Sequence, residues 1–320
     1  MAEQKNRSEP NGARPDRLVV GVASSALFDL DASDRVYRED GVEAFRKHQR
    51  ERLGEPFEAG PALPFIQRLL ALNAARPAQP LVEVVLMSRN DAETGRRAFR
   101  SIAHYGLPIA RAAFTQGESP DAYGPAFGAA LFLSTNAEDV RTAIDAGRPA
   151  GRVSPGAARA DDPNDPELRI AFDFDGVLAD DASERVFASR GLDAFRAHED
   201  ARRAQPHGEG PLLPLLRRIA AIQAIEADAA ATGYIPRLKT AIVTARGAPA
   251  TERVVASLLE WGVRIDKSFF MDGADKAPIL ATLRPHIFFD DQEHHVAGAS
   301  KHVAAVHVPF GVKNQQASPA

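Results

Sequence analysis

Two doubly wound α/β units in tandem are predicted for this chain. Three observations carry the prediction: short apolar runs alternate with helical stretches, the alternation occurs twice in one order, and matching residues recur at a constant offset. Apolar runs of this length between helices are the signature of strands buried on both faces of a parallel sheet.

In the first half the runs are Leu18–Ala23, Val82–Met87, Ala112–Thr115 and Ala130–Leu133. In the second they are Ile170–Phe174, Thr240–Val243, Ser268–Met271 and His286–Phe289. Individual residues repeat as well. Ala32-Ser33-Asp34-Arg35-Val36 returns 150 residues on as Ala182-Ser183-Glu184-Arg185-Val186. The same offset pairs Phe45-Arg46 with Phe195-Arg196 and Gly60-Pro61 with Gly210-Pro211. Further on it becomes 156, pairing Gly106 with Gly262, Phe114 with Phe270 and Phe132 with Phe288. The six extra residues fit in Ile225–Arg237, which is longer than Ala74–Pro80. One offset with one insertion is the pattern of an internal duplication.

The expected boundaries follow. Residues 1–17 are polar and read as a disordered tail, and 18–154 form the first unit. Residues 155–167 are a linker inside the Pro-, Gly- and Asp-rich stretch Arg148–Glu167, 168–312 form the second unit, and 313–320 fray. Each unit should carry a small helical cap between its first two strands, at about 180–237 in the second.

Of the 320 residues 44% are hydrophobic and 26% charged, an ordinary soluble composition able to bury one or two cores. A net charge of -4 gives no general attraction for nucleic acid or anionic membrane, so any phosphate must be held locally. With no cysteine, disulfide and thiol chemistry are excluded. No apolar run approaches the ~20 residues of a spanning helix, and residues 1–17 lack the apolar segment of a signal peptide. A cytoplasmic location is therefore expected.

The chemistry gathers at the run ends of the second half. Phe172-Asp173-Phe174-Asp175-Gly176 closes its first run, and residues i and i+2 of an extended segment share a face. Paired carboxylates suit phosphoryl transfer: one attacks phosphorus, and the other protonates the leaving oxygen and later activates water. Alone, Asp-x-Asp is a weak motif. Three further signals accompany it. Thr244 ends the second run, with the N–H groups of Ala245 and Arg246 beside it to hold phosphate oxygens. Lys276 supplies a cation ahead of a helix, and Asp290-Asp291 closes a buried run with two hard oxygen donors that suit Mg²⁺. Singly, these residues read as a strand-end hydroxyl, a surface lysine and a helix-capping pair.

Together and in this order, Asp-x-Asp, Thr, Lys and Asp-Asp resemble the four motifs of the haloacid dehalogenase superfamily. That resemblance implies a Mg²⁺-dependent phosphohydrolase of that superfamily's α/β fold. Asp173 would be the nucleophile and a metal ligand, and Asp175 the general acid/base, ligating metal through its carbonyl. Thr244 and Lys276 would bind phosphate, Asp290 would complete the metal site, and Asp291 would assist through water or from one step outside it.

The first half keeps the frame and loses the charges. Its matching residues are Ala23, Ser25, Ser88, Pro120, Ser134 and Thr135, so it is expected to be catalytically dead. Asp29 and Asp31 look like a second Asp-x-Asp but fall outside the register. Ser24, Ser25, Ser88, Arg89, Asn90, Ser119 and Ser134 are explained most simply by turn chemistry. A sharper reading makes Ser88, Arg89 and Asn90 contacts of a phosphate or nucleotide effector.

A narrower resemblance runs from about Leu18 to Val312. Ser24-Ser25-Ala26-Leu27-Phe28, Ser101-Ile102-Ala103-His104-Tyr105, Val243-Thr244-Ala245-Arg246, Arg284–Gln292 and His307-Val308-Pro309-Phe310-Gly311 are similar to stretches of the cytosolic 5′-nucleotidase type I family. Hydrolysis of nucleoside 5′-monophosphates in the cytosol is implied. Phe174 between the two acids departs from that family's usual glycine and bears on base preference. Phe187, Phe195 and His198 are candidates to stack on a base, although Phe45 and His48 at matching places favour core packing. Glu293-His294-His295 suggests imidazole ligands, but neighbouring loop side chains rarely converge, so supporting or surface roles are expected. The alternatives are a phosphatase or phosphotransferase for another small phosphomonoester, and a non-catalytic nucleotide sensor.

Overall fold

The opening strands of both halves, β1 (Leu18–Val22) and β6 (Leu168–Phe172), are buried almost throughout, as their Val, Leu, Ile and Phe content dictates. A computed structural model describes residues 17–155 and 161–315. Of the tails expected at 1–17 and 313–320, residues 1–16 and 316–320 lie outside the described residues.

After β1 come α1 (Ser24–Leu27), α2 (Asp31–Glu51), α3 (Leu63–Ala71) and β2 (Val82–Ser88). Next are α4 (Gly95–His104), β3 (Arg111–Phe114), α5 (Gly124–Phe127), β4 (Ala129–Ser134), α6 (Ala137–Asp145) and β5 (Ala150–Val153). The second half follows β6 with α7 (Ala182–Ala201), α8 (Leu213–Ala230), β7 (Leu238–Thr244) and α9 (Thr251–Glu260). It closes with β8 (Lys267–Phe270), α10 (Ala277–Leu283), β9 (Ile287–Asp290), α11 (Glu293–Ala299) and β10 (Ala305–His307). Each predicted run falls on one of these strands, within a residue or two.

The two halves are not separate units. All ten strands form one sheet in the order β3-β2-β1-β4-β5-β10-β9-β6-β7-β8. Within each half the pairing is parallel, with Val22 opposite Leu86 and Phe172 opposite both Ile242 and Phe289. At the join β10 runs antiparallel to β5, Val306 opposite Val153 and His307 opposite Arg152. Gly151 makes this join possible, because a Cβ there would come within 2.2 Å of Val306 Cγ1. The strand order outward from the join is the same on both sides. One apolar core likewise spans both halves, including Val20, Leu86, Leu133, Phe172, Ile242 and Val306. Phe288 points to the opposite face of β9 from Phe289, where it packs with Val243, Leu280 and Val296.

β5 lies at the end of the expected first unit, just before the linker, where the four residues Ala-Gly-Arg-Val carry too little apolar pattern to announce a strand. The far end of that linker is held by Arg68, which donates to Asp161 at 2.6 Å, the Asp162 carbonyl at 2.7 Å and the Glu167 carbonyl at 2.7 Å. The span 180–237 divides: α8 buries Leu213, Leu216 and Ile219 and meets β7 and β4, so only α7 and the loop after it stand at the strand ends. Both ends of the described chain are also tied down. Arg17 pairs with Glu83 at 2.7 Å, and Asn314 donates to the Asp291 and Phe310 carbonyls at 2.8 Å. No described helix is long and apolar enough to cross a membrane.

Candidate active site at the strand ends of the second half

The parallel sheet brings the ends of β6, β7 and β9 side by side, at the edge where open α/β sheets hold ligands. Asp173 follows β6 directly, 2% exposed, its N–H donating to the Phe289 carbonyl at 2.7 Å. The strand has ended by Phe172, and Phe174 N donates to Asp173 Oδ1 at 2.7 Å. Asp173 and Asp175 therefore sit on a bend, and they reach different partners instead of sharing a face of extended strand.

Lys276, also 2% exposed, donates from Nζ to Asp173 Oδ2 at 2.9 Å and Asp290 Oδ2 at 2.7 Å. Burial works against its charge, but the two carboxylates outweigh it and hold the ammonium firmly protonated. Burial pushes the Asp173 carboxyl up to about 6, against the pull of Lys276. Asp290, though fully buried, is held below the ordinary carboxylate range by Lys276 and by His295, whose Nδ1 lies 3.2 Å from Asp290 Oδ2. Thr244, 1% exposed, ends β7, and its hydroxyl oxygen accepts from the Arg246 N–H at 3.3 Å.

Arg246 behaves unlike a free phosphate binder. Its guanidinium grips Asp175 with two contacts of 2.6 Å, Nε to Oδ2 and Nη2 to Oδ1, and its remaining arm reaches Glu199. Glu199 in turn accepts from Arg253 at 2.8 Å and Ser183 at 2.7 Å. A buried ionic network thus ties α7 to the loop after β7 and to α9.

Asp291 is 1% exposed, and neither of its carboxylate oxygens has a hydrogen-bond partner. Burial, followed by the charges of Asp173, Glu184 and Asp290, pushes its carboxyl up to about 10. Buried unpaired carboxylates are costly, and such an arrangement suits a cation. Single ligand atoms of Asp173, Asp290 and His295 also lie within 4.8 Å of one another.

A cavity of about 410 Å³ opens over this floor. Asp173, Asp175, Thr244, Ala245 and Arg246 line it from the strand ends, and Glu184, Phe187 and Phe195 from α7. Phe187 and Phe195 thus face the cavity, against the expectation of core packing, and meet edge-on at 6.2 Å. His198 is not among its walls and instead contacts Glu199 at 3.0 Å. Of the histidine pair, His295 lines the cavity.

Glu184, Glu199 and Lys313 were not singled out from sequence. Burial, with Asp175 nearby, lifts the Glu184 carboxyl to about 7, and Lys313 lies 3.6 Å from its Oε1. Glu184 stood inside the clearest repeat segment, which was the available signal. Lys313 was hidden in a stretch read as frayed.

In the first half, Ser24, Ser25, Ser88, Arg89, Asn90 and Ser134 come together around a second cavity, while Ser119 is not among its walls. Asp29 accepts the Asp31 N–H at 2.9 Å in a local turn and is not among the walls of this cavity.

Comparison with known proteins places these features in context. The model of the 5′-nucleotidase family matches residues 11–315. Human cytosolic 5′-nucleotidase 1B is 34% identical over 301 residues, covering 92% of this chain and 49% of the relative. The chain spans about half the length of that relative.

Proposed function

The chain belongs to the 5′-nucleotidase family, and on that premise we propose that its second half hydrolyses nucleoside 5′-monophosphates to nucleoside and phosphate. The observation that carries this reading is Lys276 held between Asp173 and Asp290 on a buried floor beneath a cavity.

An Asp173 oxygen attacks phosphorus, the bond to the nucleoside 5′-oxygen breaks, and Asp175 gives that oxygen its proton. Asp175 then takes a proton from water. The water oxygen displaces Asp173 from phosphorus, freeing phosphate and restoring the carboxylate. Thr244 and the N–H groups after it hold phosphate oxygens, and Lys276 offsets the repulsion between a carboxylate and a phosphate dianion. Arg246 fixes the direction of Asp175.

The donors fit a divalent cation. Asp291 offers two buried oxygens without partners, next to Asp173 and Asp290. Hard oxygen donors favour Mg²⁺ over softer ions, so Asp173, Asp290, Asp291 and the Asp175 carbonyl are proposed to hold it. His295 supports that set through Asp290. When bound, Mg²⁺ supplies positive charge to the phosphoryl oxygens. α7 serves as a cap, its two phenylalanines offering a face to the base. A cytosolic setting is proposed from the name of the human relative.

The test is phosphate release from nucleoside 5′-monophosphates and sugar phosphates, with Mg²⁺ or with EDTA. Mg²⁺-dependent release favouring nucleotides and lost in Asp173→Asn is expected. Release from sugar phosphates alone would overturn the substrate, and release from none would overturn the enzyme.

A further inference from the structure

The first-half cavity, about 790 Å³, is the larger of the two described here. Its walls divide into two ends, and the division is informative. On α2 the lining residues Asp34, Tyr37, Val42 and Phe45 stand 150 positions before Glu184, Phe187, Leu192 and Phe195 of the second-half cavity. The chemical type is kept at each place: acid, aromatic, aliphatic, aromatic. The geometry is kept too. Tyr37 meets Phe45 edge-on at 5.7 Å and 82°, as Phe187 meets Phe195 at 6.2 Å and 84°. Gly41 and Gly191, at φ 84° and 79°, break the two helices at the same point between the aromatic residues.

The other end is changed throughout. Ala23, Ser25, Pro120 and Ser134 replace Asp173, Asp175, Lys276 and Asp290, so neither a metal ion nor a phosphate meets its charges. The two cations in the cavity wall are occupied. Arg89 donates to Asp139 at 2.9 Å and to the Gly117 carbonyl at 2.9 Å, and Arg46 binds Asp91 at 3.0 Å and Glu43 at 2.9 Å. The N-terminus of α6 is spent as well, because Asn136 Oδ1 accepts from the Glu138 and Asp139 N–H groups at 2.9 and 3.1 Å. What remains at the strand ends is a set of hydroxyls and the Asn90 amide, able to bond neutral donors and acceptors.

We propose that this cavity binds an uncharged nucleoside, a planar base on a polyhydroxyl sugar, without a metal ion. The inference rests on the nucleotidase reading of the second half, since that reading makes the aromatic end a base site. The ligand belongs to the same class as the dephosphorylated product, and a phosphate is disfavoured because both arginines of the wall are already paired, with Asp139 and Asp91, while Asp34 is a further acid in it.

The experiment is equilibrium dialysis of the full chain in EDTA against radiolabelled adenosine, guanosine, cytidine and uridine, and against their 5′-monophosphates. Two sites per chain are expected for at least one nucleoside. Tyr37→Ala should weaken one of them by about fivefold or more, the scale of a lost base-stacking contact. Tyr37 is 54% exposed and Val42 48%, so neither Tyr37→Ala nor the second variant, Val42→Asp, threatens the fold. The monophosphates should occupy only the site sensitive to Phe187→Ala. A single nucleoside site insensitive to both first-half variants would overturn the proposal, as would a Tyr37-dependent site that prefers monophosphates. Phosphate release by the unmodified chain, measured in parallel, separates this failure from failure of the nucleotidase reading.

Discussion

Arg246 holds Asp175 through two parallel contacts of 2.6 Å while its third nitrogen lies on Glu199 of α7. One guanidinium therefore aligns the acid/base of the proposed reaction and anchors the helix that roofs it. Lysine at this position keeps the charge and loses the fork. Arg246→Lys is expected to lower kcat about a hundredfold, the scale of a misaligned catalytic group. Steady-state kinetics on the preferred monophosphate checks it; an unchanged kcat would remove Arg246 from the machinery.

Glu199 is buried among Arg246, Arg253 and Ser183. Burial alone would raise its carboxyl, but His207 and Arg246 outweigh it and hold it far below the ordinary range. A depressed folded value means that its stabilisation is complete above the unfolded carboxylate value, about 4.3, and fades as pH falls below it. Glu199→Ala takes from Arg253 its carboxylate partner and leaves Arg246 with Asp175 alone, and is expected to cost about 3–5 kcal/mol near neutrality. The gap in Tm from the unmodified chain should close between about pH 4.3 and lower values. A gap constant with pH would refute the assignment.

Asp291 offers the opposite case, a buried carboxyl with both oxygens unpaired. In EDTA near neutrality, Asp291→Asn should raise stability by about 1–3 kcal/mol, because the raised carboxyl must take up a proton to be buried and an amide need not. The same variant should lose most of the Tm increase that Mg²⁺ gives the unmodified chain. Thermal melts with and without Mg²⁺ decide it, and equal Mg²⁺ shifts in both proteins would exclude Asp291 from the cation site.

Gly176 has φ 68°, and a Cβ there would lie 2.6 Å from Asp291 Oδ2. Gly176→Ala must displace that carboxylate or strain the turn. A loss of about 10- to 100-fold in apparent Mg²⁺ affinity is expected, measured from the Mg²⁺ dependence of phosphate release.

Phe187, 41% exposed on α7, lines the cavity, and in the proposed reaction it bears on substrate and not on folding. Phe187→Ala should raise KM by about 5- to 150-fold for monophosphates and leave kcat nearly unchanged, the mark of lost ground-state stacking. A fall in kcat alone would place the ring elsewhere in the cycle.

The residues that converge at the strand ends were legible in sequence because each follows a short apolar run, and a parallel sheet aligns such ends. Asp173, Thr244 and Asp290 belong to that class. β5 was not legible, since its pairing with β10 depends on a contact between segments some 150 residues apart. Glu199 and Arg253 were missed for a related reason. They lie on helices whose outward faces are ordinarily charged, and only the folding of α7 over α9 makes them interior. For the two phenylalanines of α7 the sequence leaves base stacking and core packing both open, with core packing favoured by the usual burial of aromatic residues; the turn at Gly191 lies between them, and both face the cavity.

The antiparallel seam between β5 and β10 forbids modular use of either half. A polypeptide trimmed to residues 161–315 would bare the backbone donors and acceptors of β10 and one flank of a shared interior. Such a fragment would seek another edge and aggregate. On the proposed assignment, the first half is therefore a permanent splint for the second, and mutational damage there would be felt first as loss of soluble protein, before any change in turnover.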